Sequence, residues 1–240
     1  MRNLPSVTQH LLLINVFCWI ADYVLSQYGI QLSGICGLHY VNAPTFGFWQ
    51  PLTYMFMHAD FTHLFCNMFA VWMFAPVLER EWGSRKFLIY YLICGLGAAA
   101  VQEGVWALQV GSSAQAEIIA PMLNTIGASG AVFGILFAFG WLFPDVRMFL
   151  LFIPIPIRAR TFVLVYAAIE LMAGFSHIPG DNVAHFAHLG GMLFGWLLLL
   201  WWRKSKNMSI KNLFGSNETE TDTRREKDFS DYHYQRRIDD

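Results

Sequence analysis

The chain is short of charge. Only 14% of its 240 residues are Asp, Glu, Lys or Arg, against about 25% in a soluble globular domain. The shortage is uneven: residues 1–202 carry 16 of these 33 charges and residues 203–240 carry 17. Hydrophobic residues make up 55%, more than a soluble domain of this length can hide, which argues against a water-soluble enzyme. Low charge combined with high hydrophobicity excludes disorder for most of the chain. Cysteines are few, at positions 18, 36, 66 and 94. They do not make a disulfide-rich module, a CxxC redox pair or a metal knot, and they read as packing residues. A net charge of −1 gives no reason to expect nucleic acid. No internal repeat is evident. The expected organisation is an all-α integral membrane domain over residues 1–202, then a polar, charged tail over 203–240 that is disordered or only locally helical.

What is present is a set of apolar runs. A helix needs about 20 mostly apolar residues to cross about 30 Å of hydrocarbon. Six segments are expected to span, at roughly 8–27, 62–79, 86–108, 128–143, 159–175 and 182–202. The fourth and fifth are short. The first lacks the cleavage site of a signal peptide. The stretch 144–158 is apolar but interrupted by Pro144, Pro154 and Pro156, so it reads as a surface or re-entrant connection. Lys and Arg set the orientation. With six spans, all 16 of them fall at or next to the segments 1–7, 80–85, 144–158 and 203–240, and none falls in 28–61, 109–127 or 176–181. Both termini are therefore expected to be cytoplasmic. The aromatic-rich connection 28–61 suits the headgroup region of the opposite face.

Polar groups inside spans are costly and point to function. Segment two opens with His58, then His63 and Asn67 four residues apart on one helical face. Segment four opens with Gly127, Ala128, Ser129 and Gly130, and Gly127, Gly130 and Gly134 share a face that lets another helix approach. Position 131 is Ala, so this is not the G-x-S-x-G elbow of soluble hydrolases. Segment six opens with His185 and His188, followed by Gly191 and Gly195 on the His188 face. Each motif alone is explained by helix packing. Two histidines so spaced could hold a metal, but neither an HExxH pattern nor a carboxylate cluster accompanies them, so no metal is expected. Together, all three motifs put polar groups near the same end of their spans. A His on one helix could serve as general base to a Ser on another. Asn67, His63 and the Ser129 backbone N–H could stabilise a developing oxyanion. Asp22 and Glu170 are intramembrane acids, and no spacing brings either to the site, so a Ser–His dyad is expected.

On these motifs (His63-x-x-x-Asn67, Gly127-Ala-Ser129-Gly130, and His188-x-x-Gly191-x-x-x-Gly195) the chain resembles the rhomboid intramembrane serine proteases of six-span bacterial type. The resemblance covers about residues 8–202. It implies a six-helix bundle with an interfacial first loop in the bacterial inner membrane, and a site that opens to the extracytoplasmic side. Ser129 would be the nucleophile and His188 its base, with no cofactor. Asn67 and His63 would line the oxyanion hole. Gly127, Phe133, His58 and His185 would support the site, with Phe133 stacked on His188 in place of an acid. Glu79 would tie helix ends together, and segment five would be a gate. Gln50 stands where many relatives have Arg. The implied substrates are single-span or multi-span membrane proteins in the lipid bilayer. Two rivals remain. One is a catalytically silent relative that binds client helices. The other is a transporter, with the glycine-rich fourth span as a broken helix.

Overall fold

A computed structural model describes residues 4–150, 153–176 and 184–213. The elements in chain order are α1 (Ser6–Ser26), α2 (Leu32–Cys36), β1 (Leu38–His39), α3 (Gln50–Thr53), α4 (Phe61–Trp82), α5 (Ser84–Gly111), α6 (Ala116–Ile119), β2 (Asn124–Thr125), α7 (Ser129–Leu142), β3 (Arg147–Leu150), β4 (Ile153–Arg158), α8 (Ala159–Phe175) and α9 (His185–Leu213). Residues 1–199 form one compact unit. A second begins at Leu200, and it is described only as helix, to Leu213. The expected disordered tail beyond 213 and the connection over 177–183 lie outside the described residues.

Each of the six expected spans is occupied by a helix, but the spans are not equal. Four helices are long and apolar enough to cross a membrane: α1, α4, α5 and the His185–Lys204 stretch of α9. With 14 residues, α7 reaches only about 21 Å, and the 17 residues of α8 include Arg160 and Glu170. A count of six full spans therefore goes beyond what helix length alone supports. The architecture is also not purely helical, since two short antiparallel ribbons occur among the described residues. One is the 147–158 hairpin, β3 paired with β4, in the stretch where the prolines argue against a helix.

The helices pack through small residues because lipid supplies no hydrophobic force to drive helices together. A methyl group on Gly130 would overlap Ala98 of α5, and one on Gly134 would overlap Cys94 of α5. One on Gly191 would run into the backbone carbonyl of Gly130. Thus α7 nests against both α5 and α9, and the Tyr90 hydroxyl secures the joint by donating to the Gly134 carbonyl at 2.8 Å. Large apolar side chains face outward instead, with Phe17 of α1 and Leu164 of α8 about 70% exposed (72% and 69%). Such a surface suits hydrocarbon and not water.

At one end of the bundle Glu79, buried near the end of α4, gathers three neighbours. Its carboxylate accepts from the Val7 N–H (2.9 Å), from the N–H and hydroxyl of Thr8 (both 2.7 Å) and from the Ser84 hydroxyl (2.6 Å). These donors lie at the starts of α1 and α5, where backbone N–H groups lack intrahelical partners. At the other end the 28–61 connection is folded into α2, β1 and α3. Gln50 organises it while 1% exposed. It accepts from the His39 N–H at 3.2 Å and donates to the Ile35 and Thr45 carbonyls at 3.3 and 2.9 Å. The departure from Arg at this position thus leaves a neutral amide that meets its neighbours within the loop. β1 then pairs with β2 (Leu38 with Thr125, His39 with Asn124), which ties this connection to the strand just before Gly127.

Candidate active site

The site lies where the starts of α4, α7 and α9 meet. Asp60 caps α4, its carboxylate accepting from the His63 N–H at 2.8 Å, and so the helix begins in the register that presents His63 and Asn67 on one face. Ser129 is the first residue of α7, where backbone N–H groups point out of the helix end without partners in the helix. Just before it, Gly127 has φ +130°, a conformation that residues with a Cβ rarely adopt. Its N–H donates to the Tyr54 carbonyl at 2.9 Å. A Cβ at Gly127 would lie 2.8 Å from the His63 ring and 3.5 Å from Ser129 Oγ. The imidazole of His63 and the hydroxyl of Ser129 therefore flank one small space that only glycine leaves open.

Ser129 Oγ and His188 Nε2 are 2.8 Å apart. His188 is buried and lies flat on Phe133, with ring centroids 4.2 Å apart and planes 7° from parallel. Phe133 in turn packs against Tyr166 of α8, centroids 5.3 Å apart. Of the two histidines at the start of α9, it is His188 whose ring nitrogen faces the serine. Asn67 is buried one turn along α4 from His63 and donates one of its two amide hydrogens to the His63 carbonyl at 3.0 Å. His58 is buried before α4 begins, edge-on to His63 with centroids 5.0 Å apart. Burial, reinforced by His63, lowers its pKa to about 4, so this imidazole is neutral at physiological pH.

The expectation of a dyad without an acid needs correcting. Glu170 of α8 brings its carboxylate to His188, where Oε2 accepts from Nδ1 at 2.8 Å, and the same oxygen accepts from His185 Nδ1 at 2.7 Å. Spacing within a segment cannot show this, since the contact joins two helices. Depth is the signal that could. Glu170 is five residues from the end of α8 and His188 three residues from the start of α9, so the two share a level in the bundle. An intramembrane acid is itself a functional signal. The carboxylate that the local sequence lacks beside the two histidines thus arrives from another helix. Glu170, His185 and His188 each offer a ligand atom, all within 4.8 Å of one another, and could hold a small divalent cation.

Residues 45–205 match the Rhomboid domain family. The chain is similar to Rhomboid protein 1, mitochondrial, of Saccharomyces cerevisiae, 32% identical over 60% of this chain and 40% of that protein. It is similar to Rhomboid-like protein 11, chloroplastic, of Arabidopsis thaliana, 32% identical over 80% of this chain and 63% of that protein. It is also similar to Rhomboid protease GluP of Bacillus subtilis, 29% identical over 61% of this chain and 24% of that protein. The chain thus spans less than two thirds of each relative's length, and the relatives come from mitochondria, chloroplasts and a bacterium. With the family match covering its helical core and the apolar helices that a bilayer requires, the chain is an integral membrane protein and belongs to the rhomboid family.

Proposed function

We propose that the protein is an intramembrane serine endopeptidase that hydrolyses peptide bonds in or next to the transmembrane helices of single-span or multi-span membrane proteins. The observation that carries this reading is the 2.8 Å contact between Ser129 Oγ and His188 Nε2, with the imidazole held flat by Phe133. Ser129 attacks the scissile carbonyl while His188 takes its proton, then returns it to the leaving amine. The Ser129 N–H at the start of α7, together with Asn67 and His63, receives the oxyanion in the space beside Gly127. Gly127, Phe133, His58 and His185 shape and support this pocket. A substrate helix hides its own carbonyls, so it unwinds locally before attack, and segments with Gly, Pro or small residues at the cut are favoured. Orientation by Lys and Arg puts both termini in the cytoplasm and the site on the opposite face, with the bacterial inner membrane as its setting. No cofactor or nucleic acid enters this reading.

The alternative is a catalytically silent rhomboid that binds client helices. A serine-reactive fluorophosphonate separates the two. The endopeptidase is labelled at Ser129, and Ser129→Ala is not labelled. A folded wild type that resists labelling is the silent relative.

A further inference from the structure

The groups that face His188 come from four helices. Ser129 and Phe133 belong to α7, Glu170 to α8 and His185 to α9 itself, while His63 of α4 is near enough to act on it electrostatically, and Tyr166 of α8 packs behind Phe133. The acid is the member that a serine–histidine pair does not require. An ionised carboxylate can only accept hydrogen bonds. Its 2.8 Å contact with Nδ1 therefore places a proton on that nitrogen. In the neutral imidazole this leaves Nε2 as the acceptor, and Nε2 is the atom facing the Ser129 hydroxyl. Stacking on Phe133 sets the plane of the ring but not which nitrogen bears the proton, because both tautomers stack alike. The carboxylate is thus the feature in contact with the ring that distinguishes them. It is 7% exposed, so water competes poorly for it.

We infer that Glu170 is a positioning residue for the proposed Ser129–His188 pair, holding His188 in the tautomer whose Nε2 accepts the serine proton. This rests on the proteolytic reading above. In the step itself the proton leaves Ser129 Oγ for His188 Nε2 as the serine–carbonyl bond forms. The Nδ1 proton stays on the imidazolium, and Glu170 stays an unprotonated acceptor. Because Glu170 comes from α8 and His188 from α9, the base is also oriented only while α8 is seated against α9. The Phe175–Phe186 ring contact, centroids 5.3 Å apart, supports that seating from the same pair of helices.

The test uses the full chain in reconstituted membranes with a single-span reporter. Glu170→Gln and Glu170→Ala are expected to lower kcat by about 10²- to 10⁴-fold with KM unchanged. Glu170→Asp should recover part of the loss. Asp22→Asn, at another intramembrane acid, whose carboxylate accepts from the Ser33 N–H, should retain wild-type kcat. A chelator should leave the wild type unaffected. Wild-type kcat in Glu170→Gln, a loss confined to KM, or inactivation by chelator would each overturn the inference, the last in favour of a bound metal. Nitrogen-15 NMR of histidine in the wild-type protein decides the matter independently of any variant's folding or of activity. Protonated Nδ1 and unprotonated Nε2 on His188 is expected, and the reverse tautomer contradicts it. Failure of the wild type to cleave or be labelled counts against the proteolytic reading alone, and the tautomer still answers for Glu170.

Discussion

Two buried carboxylates divide the bundle. Glu79 and the site lie at opposite ends of α4, with Glu79 16 residues beyond His63, about 24 Å along the helix. Each accepts more than one short hydrogen bond, Glu79 from two helices and Glu170 from two histidines of α9, but the donors differ. Glu79 binds backbone N–H groups and hydroxyls, which do not titrate near neutral pH, and so joins the ends of three helices. Glu170 binds two imidazoles, one of which faces the Ser129 hydroxyl. The same side chain is a structural tie in one place and a partner of the candidate site's histidines in the other. What distinguishes them is the chemistry of their partners and not their burial, which is similar (2% and 7% exposed).

Variants should separate the two ends. Ser129→Ala, at the site end, should cost on the order of 10⁶-fold in kcat and leave the melting temperature unchanged. Asn67→Ala should cost about 10²–10³ in rate, or about 3–4 kcal/mol of transition-state stabilisation, as read from kcat on a single-span reporter. Glu79→Ala should do the reverse. It leaves buried donors without an acceptor and should lower unfolding stability by about 3 kcal/mol, while the protein that remains folded keeps its kcat. If Glu79→Ala abolished turnover without loss of stability, the division of roles would fail. Gly191→Ala forces α9 away from the Gly130 carbonyl and should cost about 1–3 kcal/mol, with a parallel loss of activity because the same joint sets the His188–Ser129 distance.

The wild type is also expected to respond to pH. His58 has a pKa of about 4 in the fold, below the ordinary imidazole value of about 6.5. As the pH falls through 6.5 the unfolded chain takes up this proton first, so stability declines between pH 6.5 and 4 by about 1.4 kcal/mol per unit. Denaturation of the wild type across that window should show the decline, and His58→Gln should flatten it.

Much of this architecture is legible in the amino-acid sequence. The helices follow apolar runs, and the prolines at 154 and 156 mark a break where the hairpin lies. Ser129, His188, His63 and Asn67 stand out because each belongs to a local pattern of helical period, with the glycines that let the helices meet. Glu170 is visible as an intramembrane acid, but its partners lie on α9, and no spacing within one segment encodes a contact between helices. The β1–β2 pairing is hidden for the same reason, since it joins residues 38–39 to 124–125. The shortness of α7 is plain in the sequence, but length alone does not say whether such a helix spans.

The central claim is that Ser129 and His188 together cut membrane proteins. The direct measurement is cleavage of a single-span reporter in reconstituted membranes by the wild type, Ser129→Ala and His188→Ala. Cleavage by the wild type and by neither variant is the expected result. Cleavage that persists in Ser129→Ala would contradict the account.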